Sequence, residues 1–215
     1  NFLSLDDPVL QFITKSVSRE MANPVRGSWK RLKRVARFVS GCAKVVWHYG
    51  LQSEPGDSVV FTDSDWGGDQ RDRKSTSGGV WFLGNHCIKT WSSTQGAYAL
   101  SSAEAELYGM VEGVTRAKGL VSLAHEVGFE NLSTRIRLGT DSSAAKSFIS
   151  RRGIGKMRHL AIKDLWLQKE VRDNLVEAFK VSGNENPADL MTKIMPLRDI
   201  RSRLGNMSIV LHTRC

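Results

Sequence analysis

Cysteine is scarce in this chain of 215 residues: Cys42, Cys87 and Cys215 lie far apart, with no Cys-x-x-Cys pair. Neither a disulfide framework nor a thiolate zinc site is suggested, and the thiols read as reduced and incidental. Long apolar runs are missing as well. None approaches the roughly eighteen residues of a membrane span, and the opening Asn1-Phe2-Leu3-Ser4-Leu5-Asp6-Asp7 has neither the basic start nor the apolar stretch of a secretory signal. We therefore expect no membrane association and a place on the cytosolic side. There is no initiator methionine and the first segment reads as the middle of something, so a piece of a longer polypeptide is expected. Internal repeats and low-complexity tracts are absent too, while an apolar fraction of 40% supports an ordinary soluble core.

Acids are the minority charge, 22 against 31 lysines and arginines, for a formal net charge of +9. Such a surplus favours an anionic partner. Its placement is informative: Lys30, Arg31, Lys33, Arg34 and Arg37 form one cluster, Arg71, Arg73 and Lys74 a second, and Arg151, Arg152, Lys156 and Arg158 a third. Each alone reads equally well as a solvated face; three in one small protein tilt toward phosphate binding.

Hydrophobic spacing organises the chain. From Asp7 to Arg37 it is helical, first through Val9, Phe12, Ile13 and Val17, then from near Ser28 with Trp29, Leu32, Val35, Ala36 and Val39 on the side expected to face inward. The polar stretch Gln52 to Asp57 suggests a boundary, giving expected units of 1–55, 56–195 and a tail, 196–215. Ser58 to Asp63 reads as a strand, and Ser77 to Leu83 and His86 to Ser92 as two more around a Gly84-Asn85 turn. Ser101-x-x-Glu104 is a capping box opening a long helix that Gly128 ends. A fourth strand, Arg135 to Thr140, precedes a short helix capped by Asp141. A helix from about Met157 to Asp173, a fifth strand, Leu175 to Val181, and a last helix opened by Asn186-Pro187 follow. The order β-β-β-α-β-α-α-β-α implies an α/β fold, a mixed sheet with helices against it.

Four acids stand at the ends of these elements: Asp63, Glu106, Asp141 and Asp189, with Asp65 and Glu104 as second choices at the first two positions. Hard divalent cations such as Mg²⁺ prefer oxygen ligands, and two such ions about 3.5–4 Å apart can both activate a water and relieve charge on a leaving oxygen. Each acid also has a structural explanation, as strand end, helix cap or first-turn acid. Trp66 and Trp91 read as core residues rather than stacking platforms.

Five motifs occur in order: Phe61-Thr62-Asp63-Ser64-Asp65-Trp66-Gly67-Gly68-Asp69; Arg73-Lys74-Ser75-Thr76-Ser77-Gly78; Ala99-Leu100-Ser101-Ser102-Ala103-Glu104-Ala105-Glu106; Thr140-Asp141-Ser142-Ser143-Ala144; and Asn186-Pro187-Ala188-Asp189-Leu190-Met191-Thr192-Lys193. Over about Val59 to Pro196 this text closely resembles the ribonuclease H domain of copia-type retrotransposon Pol polyproteins. Ser18 to Pro24 and Trp29 to Arg34 resemble the segment that ends the reverse transcriptase there. The resemblance implies a ribonuclease H-like fold, a five-stranded mixed sheet flanked by helices, here with an N-terminal helical extension. It implies an enzyme that cuts the RNA strand of an RNA–DNA hybrid with two Mg²⁺ ions, for which Mn²⁺ can substitute. Asp63, Glu106, Asp141 and Asp189 would be the catalytic, metal-holding acids, and Ser64, Arg71, Arg73, Lys74, Ser142 and Ser143 would touch substrate. The attached reverse transcriptase would be a partner, and the setting a cytoplasmic virus-like particle or the nucleus. One departure stands out: the loop Ser182 to Asn186 lacks the histidine that many ribonucleases H carry there, and His159 reads as a surface or capping residue. The competing reading is a copy that keeps the fold and basic surface as a nucleic-acid-binding or connection domain but no longer cleaves.

Overall fold

A computed structural model describes residues 2–155 and 165–213. In chain order the elements are α1 (Pro8–Ser18), α2 (Arg26–Gly41), β1 (Cys42–Trp47), β2 (Ser58–Asp65), β3 (Thr76–Leu83), β4 (His86–Thr94), α3 (Ser102–Glu126), β5 (Ile136–Thr140), α4 (Ser143–Ser150), α5 (Trp166–Arg172), β6 (Val176–Lys180), a 3-10 helix (Pro187–Met191), α6 (Leu197–Asn206) and β7 (Ile209–Thr213). Strands β4, β3, β2, β5 and β6 lie in that order in one sheet. β2 pairs antiparallel with β3 and parallel with β5, which pairs parallel with β6. This is the five-stranded mixed sheet of a ribonuclease H-like fold, with helices against it.

Both faces of the sheet are covered, which explains why β3 is buried along its whole length. Against one face, α3 packs Leu107, Met110, Val114, Ala117 and Val121 onto Val60, Trp81, Ile136 and Leu138, and α4 adds Phe148 and Ile149. Ser101 caps α3 as expected, its hydroxyl accepting from the Glu104 N–H at 3.2 Å. Against the other face, Val80, Phe82 and Cys87 share a core with Leu190, Met191, Leu204, Met207, Ile209 and Leu211. Val9, Phe38, Val45 and Trp47 from the N-terminal region join that second core. Residues read as a tail thus form α6 and β7, and β7 pairs antiparallel with β1, a strand that hydrophobic spacing did not reveal.

Four local expectations are corrected. The apolar stripe of α2 does not face inward: Trp29, Leu32 and Val39 are exposed, while Ser28, Arg31, Val35 and Phe38 face the protein. On the inward side Phe38 packs on the second core and Arg31 pairs with Glu20. The helix opened by Asn186-Pro187 is a short 3-10 turn; Pro196 starts a separate helix, and the residue before a proline is disfavoured in helical conformation. Asp141 does not cap α4; Ser142 does, accepting from the Ala145 N–H at 3.2 Å. Trp66 is exposed, its indole donating to the Ala99 carbonyl at 2.9 Å, whereas Trp91 is buried. The helix expected from Met157 begins outside the described residues, as does His159.

Candidate metal centre

The parallel pairing of β2 and β5 places two of the acids. Val60 is level with Leu138 and Phe61 with Gly139, so continuing the same register by two residues sets Asp63 level with Asp141 at the carboxyl ends of neighbouring strands. Adjacent strands run about 4.7–4.9 Å apart. In open α/β sheets that end is where ligands bind. The third acid arrives from the 3-10 helix. Asn186 caps it, accepting from the Ala188 N–H at 3.1 Å, and also donates to the Thr62 carbonyl at 3.0 Å, which fastens the turn beside β2. Gly78 permits the close approach: a Cβ there would come 2.5 Å from the Met191 Cβ. The outcome is that Asp63, Asp141 and Asp189 present carboxylate oxygens within 4.8 Å of one another.

Glu106, in the first turns of α3, stands beside this group without belonging to it. One of its oxygens is buried with no hydrogen-bond partner, and its carboxylate accepts from the Ser64 N–H. Burial, reinforced by the charges of Asp63 and Asp141, pushes its pKa up to about 9. Burial likewise raises Asp63 to about 7, against the opposing pull of Lys193 and of a hydrogen bond from Thr192. Loss of hydration penalises the ionised form, and neighbouring carboxylates add to the penalty.

The alternative acids are committed elsewhere. Asp65 accepts from the Thr76 N–H at the start of β3. Glu104 is buried, accepting from the Leu100 N–H at 2.8 Å and the Tyr108 hydroxyl at 2.6 Å. Among the residues expected near substrate, Ser64 is buried and its hydroxyl lacks a partner, Ser142 is the α4 cap, and Ser143 is exposed. Arg71 is held by Asp69 at 3.0 Å and by the Arg19 carbonyl at 3.1 Å. Arg73 is exposed, in a left-handed conformation with φ 55°, and the Lys74 ammonium lies 5.7 Å from the centre of the Tyr98 ring.

Several residues at the centre were not foreseen. Lys193 lies 2.7 Å from an Asp189 oxygen and 3.3 Å from an Asp63 oxygen. Those carboxylates, with the hydrogen bond to Asp189, raise the lysine pKa even though burial opposes its charge. The second Asp189 oxygen accepts from Arg203 at 3.0 Å. Lys193 could have been noticed, since it follows Asp189 by four residues within a motif. Arg203 carried no signal, standing in a segment read as a tail. The loop lacking a histidine borders the centre: a Cβ on Gly183 would lie 3.3 Å from an Asp141 oxygen, and the Gly183 carbonyl accepts from Arg203 at 3.1 Å.

No protein-family model matches the chain. It is 28% identical over 182 residues to the retrovirus-related Pol polyprotein from transposon TNT 1-94 of Nicotiana tabacum, covering 84% of this chain. Identity is 27% over 196 residues to that from transposon RE2 of Arabidopsis thaliana, covering 89%. The chain spans 13% of the length of either relative. The secreted RxLR effector protein 161 of Plasmopara viticola is 34% identical over 104 residues, 47% of this chain and 70% of that protein. Among solved structures, LC11-RNase H1 in complex with RNA/DNA hybrid aligns at a TM-score of 0.42 and 13% identity, over 63% of this chain and 94% of that one. The Pol matches cover 84% and 89% of the chain, whereas the effector match covers 47%. With its five ordered motifs, the chain is similar over 84–89% of its length to the retrovirus-related Pol polyproteins of plant transposons.

Proposed function

We propose that this domain hydrolyses the RNA strand of RNA–DNA hybrids, using divalent metal ions held by Asp63, Glu106, Asp141 and Asp189. One observation carries the reading: three aspartates from separate segments converge within 4.8 Å. The buried, partnerless oxygen of Glu106 beside them supports it. An all-oxygen donor set suits a hard cation such as Mg²⁺ or Mn²⁺. Bound ions would supply an activated water and relief of charge on the departing 3′ oxygen.

The chain's own residues do the positioning. Asp63 and Glu106 hold protons near neutrality in the metal-free protein and give them up on loading, because a ligand carboxylate must be ionised. Asn186 and Gly78 fix Asp189 against β2 and β3. We assign contacts with sugar and phosphate oxygens to the exposed Ser143, with Arg73 and Lys74 on the β2–β3 loop supplying positive charge; the Ser64 hydroxyl is buried and receives no such role. Such contacts read backbone and shape, so little sequence preference is expected. We extend the reading to the context: residues 1–55 as the end of a reverse transcriptase whose remainder is the domain's partner, acting inside a virus-like particle.

The test is degradation of labelled RNA in a hybrid with Mg²⁺, beside free RNA and double-stranded DNA, with Asp141→Asn as the control. Hybrid-selective cleavage that the variant loses supports the proposal. Absence of such cleavage, or equal cleavage by the variant, overturns it and favours the binding-domain reading.

A further inference from the structure

Among the described residues, Lys193 and Arg203 pair with the carboxylates of the acid cluster, while Lys180 donates to the Asp141 backbone carbonyl; the first two are held in different ways. The Arg203 side chain is 10% exposed, and its guanidinium is shared between Asp189 and the Gly183 carbonyl. Its place is fixed by packing. The Lys193 side chain is 45% exposed, and its ammonium spans Asp63 and Asp189 at 3.3 and 2.7 Å. A four-carbon stem reaching in from a half-exposed position can swing toward solvent without moving the backbone. The ammonium therefore fills a position between two carboxylates where it competes with any ion those carboxylates would bind.

We propose that Lys193 is a tethered cation that takes the place of a divalent ion between Asp63 and Asp189 in the metal-free protein and is displaced when the ion binds. The inference rests on the metal-centre reading above. Mutual repulsion among converging carboxylates is relieved either by protons or by a cation. Lys193 supplies the second remedy from within the chain and keeps the aspartates gathered before metal arrives. It is a positioning residue. Its cost is a raised threshold for metal binding, since each ion must first evict the ammonium.

Displacement can be read directly from the accessibility of the amine. Trace acylation followed by mass spectrometry should label Lys193 slowly in EDTA and several-fold faster with saturating Mg²⁺, while the exposed Lys169, far along the chain on α5, serves as the internal reference. Calorimetry in the same buffers establishes that Mg²⁺ binds. Lys193→Met should bind Mg²⁺ more tightly than the natural protein and melt at a lower temperature in EDTA, with the gap closing as Mg²⁺ is added. Lys193→Arg, which keeps a cation, should keep the metal-free stability, and so provides the comparison if Lys193→Met folds only with metal. Mg²⁺ binding without faster labelling of Lys193 overturns the inference and leaves the metal centre standing. If no Mg²⁺ binds to any form, the metal-centre reading fails and takes this inference with it.

Discussion

The two ends of β2 obey different rules. At its start, Ser58 is fully buried and its hydroxyl accepts from the Trp81 indole at 2.8 Å, so that polar atoms deep in the protein satisfy one another. At its other end Thr62, Asp63 and Ser64 are also buried, yet the Thr62 and Ser64 hydroxyls and a Glu106 oxygen have no partner. Partnerless buried atoms occur singly elsewhere, as at Gln11 and Trp91, but here they adjoin carboxylates whose pKa values are shifted upward. Each unsatisfied group costs about 1–3 kcal/mol. Such costs gather at the end of the central strand where we propose that the ligand binds, whereas the polar atoms at the other end satisfy one another.

Substitutions at the two ends should therefore separate activity from stability. Asp141→Asn should abolish most hybrid cleavage, on the order of 10³-fold or more if metal binding supplies several kcal/mol. The fold should survive, because Ser142 rather than Asp141 caps α4. Comparable cleavage by the variant would make the two ends equivalent.

The next largest effect is on stability against pH. Asp63 and Glu106 keep their protons to about 7 and about 9 in the folded, metal-free protein, whereas unfolded carboxylates release theirs near 4. The folded state then binds more protons between those limits, and stability falls as pH rises through them. Urea midpoints in EDTA should decline from pH 5 to pH 9, Glu106→Gln should flatten the upper part of that decline, and Mg²⁺ should reverse it. A midpoint that rises over this range would show that the acids are not protonated as described.

Smaller effects sharpen the same contrast. Gly78→Val would press on Met191 and Thr192, costing about 1–3 kcal/mol or more, and should weaken Mg²⁺ affinity by shifting the turn that carries Asp189. Ser58→Ala should cost about 1 kcal/mol by orphaning the Trp81 indole, with Mg²⁺ affinity unchanged. If Ser58→Ala weakened metal binding as much as Gly78→Val, the two ends would not be independent.

The sheet was legible in the sequence because β2 to β4 and α3 carry strong local signals: alternation, a Gly-Asn turn, and a serine cap followed by helical spacing. The second core was not. β1 and β7 lie more than 160 residues apart in the chain and stabilise one another only as a pair, so neither segment announces itself. The stripe of α2 misled for a related reason, since the side that packs, with Phe38 on the second core and Arg31 paired to Glu20, is set by tertiary contacts that spacing cannot show. At the site, the convergence of the aspartates was anticipated through ordered motifs. The environment of Asp189 was not, because Arg203 belongs to α6 and meets it only through tertiary packing.

The central claim is best tested by a crystal of the protein grown with Mn²⁺, whose anomalous scattering locates the ion without ambiguity. The account predicts a peak bounded by Asp63, Asp141 and Asp189, with Glu106 alongside. An ordered site with all four acids intact and Mn²⁺ bound elsewhere, or nowhere, would contradict it.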